Sequence, residues 1–197
     1  MHSKVFLSLL AVTALIAAVT PQLFAQGQGP AHASIVIPAT TVEHPEDVGV
    51  RAHTNHLILV RPNFVGTSPS RETPSSIRAV YALSSNVDSG GSQTIAIVDA
   101  FHYPTAANDL NVFSTQFSLP AMPDCSTTNN VGPCFSVVFA SGTQPRKNCG
   151  WGQEAALDIE WSHAMAPNAR IVLVEAASNS FTNLFSLNSE VPGFVFS

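Results

Sequence analysis

Two stretches decide the fold: Thr94-Ile95-Ala96-Ile97-Val98-Asp99-Ala100 and Arg170-Ile171-Val172-Leu173-Val174-Glu175-Ala176. Both are apolar, rich in β-branched residues, and end near a carboxylate. A strand with one face in water alternates apolar and polar residues. A run without that alternation suits a strand buried on both faces, as in a parallel sheet. Gly90-Gly91 breaks the chain before the first run. Between the two, Ala106 to Phe117 places Leu110, Phe113 and Phe117 on one helical face. Phe135 to Ala140 reads as a further strand, and Trp151 to Met165 as a helix that Pro167 stops. Strands alternating with helices predict an α/β fold with a mostly parallel sheet and flanking helices. In such sheets chemistry gathers beyond the carboxyl ends of the strands, and Asp99 stands at one of them.

Working outward, Lys4, the mostly apolar run Val5 to Val19 and the small residue Ala25 have the layout of a secretory signal peptide over residues 1–25. Its apolar core is short for a membrane span, and no later run has the roughly 18 apolar residues a span needs. The expectation is therefore a secreted product, extracellular or periplasmic. Residues 26–72 read as a leader and linker. Within it, His53-Thr54-Asn55-His56-Leu57-Ile58-Leu59-Val60 ends as one strand, and its two histidines read as exposed polar residues. Pro62, Pro69 and Pro74, with their neighbouring serines, mark the linker. Ser76 to Leu83 has the spacing of a short helix.

The charged fraction is 11% and the formal net charge −5. No basic cluster is present, so nothing points to nucleic acid or an anionic membrane as a partner. Cys125, Cys134 and Cys149 lie in one segment, in keeping with an oxidising compartment. Cys125–Cys134, closing a polar loop, is the favoured pairing, although sequence alone does not fix it. No Cys-x-x-Cys or His-x-x-x-His spacing supports a metal site.

The segment Gly152-Gln153-Glu154-Ala155-Ala156-Leu157-Asp158-Ile159-Glu160-Trp161 carries the most chemistry. On a helix, Glu154 and Asp158 are one turn apart and share a face, while Glu160 points elsewhere. In a partly dry cleft, mutual repulsion and desolvation raise at least one of the two pKa values. Such a carboxylate can take a proton from a nucleophile and return it to a leaving amine, with a second carboxyl positioning it. A solvated helix face has the same spacing.

Glu154 to Ala169, followed by Arg170 to Ala176, closely resembles the catalytic-helix and next-strand region of the sedolisins, the serine-carboxyl peptidases. Thr94 to Ala100, then Pro104 and Asp109-Leu110, looks like the first strand and helix of that family. Thr73-Pro74-Ser75-Ser76-Ile77-Arg78-Ala79-Val80-Tyr81-Ala82-Leu83 is similar to the start of its catalytic domain. The resemblance runs from about Thr73 to about Phe185, a partial peptidase domain over residues 73–185. It implies a subtilisin-like fold, incomplete in this chain, and endopeptidase activity on proteins or peptides at acid pH. Glu154 matches the family's general base and Asp158 its supporting carboxyl. The resemblance also implies a serine in a Gly-Thr-Ser motif, an oxyanion aspartate and usually a calcium site, all of which follow the matching region in the family. No cofactor is expected within the residues that match.

The sequence departs from that pattern in three places. Gly66-Thr67-Ser68 mimics the nucleophile motif but precedes the carboxylate helix, so Ser68 reads as a turn residue; Ser141-Gly142-Thr143 is a second chance match. Residues 186–197 form a divergent tail in which Pro192-Gly193 breaks the helix the pattern requires. The leader is also short beside the large prodomain of many sedolisins. A half-built sheet predicts an unpaired edge and an uncovered apolar face, and the polypeptide alone is expected not to hydrolyse proteins. The alternatives are a secreted non-enzymatic peptide-binding module or one half of a split protein. An ordinary subtilisin with Asp99 as triad aspartate is disfavoured, since His102 and His163 lack the setting it needs. His163 reads as a packed or surface residue pointing away from the pair.

Overall fold

The computed structural model describes residues 34–60, 72–84, 93–129 and 132–186. The segment read as a signal peptide, Ser68 and the tail after Ser186 lie outside the described residues. In chain order the elements are β1 (Ser34–Val36), β2 (Ile58–Val60), α1 (Pro74–Val80), β3 (Thr94–Ala100), α2 (Ala106–Gln116), β4 (Phe135–Phe139), α3 (Cys149–Met165), β5 (Arg170–Ala176) and α4 (Phe181–Phe185).

The two apolar runs become neighbouring parallel strands. The sheet order is β3-β5-β4, with every pairing parallel. β5 is central, and Ile171 to Ala176 are buried along its length. This is what a continuous apolar run requires. Side chains alternate between faces, so the register fixes two rows. Ile97, Ile171, Leu173 and Phe135 share one face and pack with Leu110 of α2 and with Ala155 and Ile159 of α3. On the other face Val172 and Val174 cluster with Ala140, Val98 and Val138. An uncovered apolar face was expected, but Val172 and Val174 are fully buried. Exposure is confined to the outer strands, as at Val137 of β4. The architecture is thus α/β, a parallel sheet with flanking helices.

α3 begins two residues earlier than its apolar pattern suggests. Asn148 explains the difference: its side-chain oxygen accepts from the Trp151 amide, capping a first turn that includes Cys149 and Gly150. Replacing Asn148 with Ala is expected to cost about 1 kcal/mol of stability, read as a lower denaturation midpoint. Ile159, Ala155, Trp151 and His163 form the buried stripe of the helix. His163 is packed, and its Nε2 lies 2.8 Å from the Pro120 carbonyl.

α1 carries a capping box at Thr73 and Ser76 and starts on Pro74. Its buried Arg78 donates to the carbonyls of Ala164 and Met165 at 3.0 and 2.9 Å, and twice to that of Ser84. Unpaired carbonyls at the end of α3 thus find a cation, as helix ends favour. Cys125 and Cys134 are disulfide-bonded, the pairing favoured from sequence, while Cys149 is free and exposed. No helix among the described residues is long and apolar enough to cross a membrane.

Candidate functional site

The row Ile95-Ile97-Asp99 of β3 lies beside the row Ile171-Leu173-Glu175 of β5, residue against residue. The helix-covered face therefore ends, at its carboxyl tips, in two carboxyls instead of two aliphatic side chains. Asp99 is 3% exposed and Glu175 is fully buried. Burying a charge is costly unless it is paired, and the two residues meet that demand differently.

Glu175 is paired. Its Oε2 lies 2.7 Å from His102 Nδ1, and its Oε1 accepts from the Tyr103 backbone N–H at 2.9 Å. The turn after β3 makes this possible. Phe101 takes a left-handed conformation (φ 69°), unusual for a bulky residue. It is held by its N–H to the Ala176 carbonyl, by an edge contact with Trp151 and by Arg146 stacked on its ring. That turn swings His102 back over Glu175. Sequence reading saw Glu175 only as the end of a strand and gave His102 no setting. The usable signal was the charge itself, since a carboxylate closing a buried strand needs a partner nearby.

Asp99 is not paired. Its Oδ2 is buried without a hydrogen-bond partner among the described residues. Burial pushes its pKa up to about 7, assisted by the negative charges of Asp158, Glu154 and Glu175. The helix pair therefore faces the strand tip. Glu154 is half-buried, and Asp158 sits on the rim with exposed surface. The Asp158 carboxyl is raised above the usual range by partial desolvation and then by the charge of Glu154. Glu160 projects elsewhere, towards the Asp109 side of the molecule. Burial, then the Asp109 charge, pushes it up to about 7.

The leader supplies an unforeseen neighbour. His53 and His56 were read as exposed, and neither is. His56 Nδ1 lies 3.1 Å from Glu154 Oε2, and its Nε2 lies 3.0 Å from Gln153 Oε1. His53 approaches Asp47 at 3.5 Å within the leader itself. A contact between positions 98 residues apart leaves no trace in local spacing.

No family model, curated protein or solved structure matches this chain. The chemistry must therefore be read from the site. Three carboxyls, Asp99, Glu154 and Asp158, interact electrostatically at the end of a parallel strand. One of them, Asp99, is buried and has its pKa raised to about 7. Such a set can store and relay a proton in acid medium, where an imidazole base would be charged and ineffective. Among the described residues no group of three or more His, Cys, Asp or Glu side chains is placed to hold a metal ion.

Proposed function

We propose that this chain supplies the acid–base half of a secreted, acid-acting serine-carboxyl endopeptidase with a subtilisin-like fold. Glu154 is the general base, and Asp158 positions it. The observation that carries this reading is the convergence of the helix pair on Asp99, whose carboxyl titrates near 7. The resemblance to the sedolisins supports it independently.

In this reading Glu154 takes the proton of a serine hydroxyl as the serine attacks the scissile carbonyl. It then returns that proton to the departing amine. Asp158, one helical turn on, holds the Glu154 carboxyl in orientation. Asp99 stays neutral at acid pH and adds no third charge to the pair. Above about 7 its ionisation crowds the site with negative charge, which ties the activity to acid. The serine must come from a further segment of polypeptide, because no Gly-Thr-Ser follows the carboxylate helix in this sequence.

The test is complementation. The chain is refolded with a Gly-Thr-Ser-bearing carboxy-terminal half of a sedolisin and assayed on a denatured protein at about pH 4. Cleavage that neither half gives alone supports the proposal. No cleavage from a demonstrably associated pair, or cleavage by this chain alone, contradicts it.

A further inference from the structure

We propose that the cavity between the turn after β3 and the first turn of α3 is a covalent modification site, at which Cys149 forms a mixed disulfide with a small, anionic disulfide. Neither Glu154 nor Asp158 lines this cavity, so the site does not depend on the peptidase reading.

The backbone builds the cavity. The left-handed residue Phe101 turns the chain out of β3, and the His102 N–H then donates to the Arg146 carbonyl at 2.9 Å. His102 also bridges in parallel to Lys147. Asn148 and Cys149 follow directly, as the cap and the first residue of α3. The imidazole and the thiol are thus brought to one cavity of about 370 Å³, a size that suits a small ligand. Tyr103, Pro104 and Ala156 give it apolar walls. Cys149 is exposed and lines the cavity, so its thiol stands at the mouth.

The polar groups around the cavity differ in whether they are already engaged. Asp109 accepts from Tyr103 Oη at 2.7 Å, from Thr105 Oγ1 at 2.6 Å and from Asn108 Nδ2 at 3.0 Å. Asn148 is occupied with the Trp151 amide. The His102 ring is fixed by Glu175 Oε2 at 2.7 Å from Nδ1 and by an edge contact with Phe139. Its Nε2 has no hydrogen-bond partner among the described residues, and Lys147 has no ion-pair partner among them. What stays open is a thiol, an imidazole nitrogen and an ammonium group. A disulfide bearing carboxylates matches that set, with an acid group on Lys147 and a sulfur at Cys149. The amides of the first turn of a 17-residue helix favour the negative charge that develops on the Cys149 sulfur.

The same chain holds the Cys125–Cys134 disulfide, in keeping with a compartment where small disulfides persist. His102 Nε2 takes the Cys149 proton, directly or through a water, and the Glu175 carboxylate stabilises the imidazolium. The Cys149 sulfur attacks one sulfur of the small disulfide, so that a new S–S bond forms as the old one breaks. The departing thiolate takes the proton back from His102. Cys149 is oxidised, the released half is reduced to a thiol, and no further reactant is needed.

The experiment incubates the full chain with glutathione disulfide, which carries carboxylates, or with the neutral 2-hydroxyethyl disulfide, and follows the mixed disulfide by intact mass. A peptide of residues 144–152 is the reference thiol outside the fold. The chain is expected to react with the anionic probe at least about tenfold faster than the peptide. Lys147→Ala, at an exposed position, is expected to slow the anionic probe about fivefold or more and to leave the neutral probe unchanged. His102→Gln is expected to slow both probes at neutral pH, with the gap closing at alkaline pH, where the thiol ionises without a base. Equal rates for chain and peptide overturn the built site. Equal slowing of both probes by Lys147→Ala, or no slowing of either, overturns the anionic class. Disulfide-linked dimers of the chain in place of the mixed disulfide overturn the small ligand.

Discussion

Lowering the pH from about 8 to about 5 is expected to gain the fold stability through Asp99, and Asp99→Asn is expected to remove that gain. The carboxyl titrates near 7 when folded and at the ordinary 3.8 when free. Between those values the folded state holds a proton that the unfolded chain has lost, so stability falls as pH rises through the window. The full gap corresponds to at most about 4 kcal/mol, with roughly 3 kcal/mol falling between pH 5 and 8. Glu160, also raised to about 7 by burial, acts in the same direction but is less buried and contributes less. His163 acts oppositely: burial lowers its pKa, so acidification must force a charge into the core. The informative quantity is therefore the difference between the unmodified chain and Asp99→Asn in denaturant midpoints at the two pH values. A variant with an undiminished slope contradicts the placement of Asp99 as a buried, unpaired acid.

Glu154→Gln is expected to lower the rate of peptide cleavage by the complemented enzyme about 10²–10⁴-fold at acid pH. The amide preserves size and can still meet His56, but it cannot accept a proton from the nucleophile. Asp158→Asn is expected to act on turnover more than on the Michaelis constant, because in the proposed mechanism Asp158 positions the base and does not bind substrate. Glu160→Gln, on another side of α3, is the matched control and is expected to leave cleavage intact. Equal rates for Glu154→Gln and the unmodified chain would move the base elsewhere in the site.

The architecture was legible where physics is local. β3 and β5 were readable to within a residue or two because a buried parallel strand must be apolar throughout, and both end where a charge or turn begins. α3 was readable in its body, but its start was set by Asn148, a capping side chain that apolar periodicity ignores. The alignment of Glu154 with Asp158 follows from helix geometry alone. The cluster they form with Asp99 does not, since it depends on β3 and β5 lying in register beneath the helix. The His102–Glu175 pair depends on the left-handed turn at Phe101, which no pattern of residue types announces. His56 was misread for the same reason: a polar residue beside a strand is ordinarily solvated, and only the folded leader brings it to Glu154.

At the centre of the site, Asp99, Glu154 and Asp158 share one electrostatic environment at the end of β3. Carboxyl titration of Asp99 by NMR tests this most directly, in the unmodified chain and in Asp158→Asn and Glu154→Gln. The expected midpoint is near 7 and moves down in each variant as a neighbouring charge is removed. A midpoint near 3.8, unmoved by either substitution, would contradict a shared site.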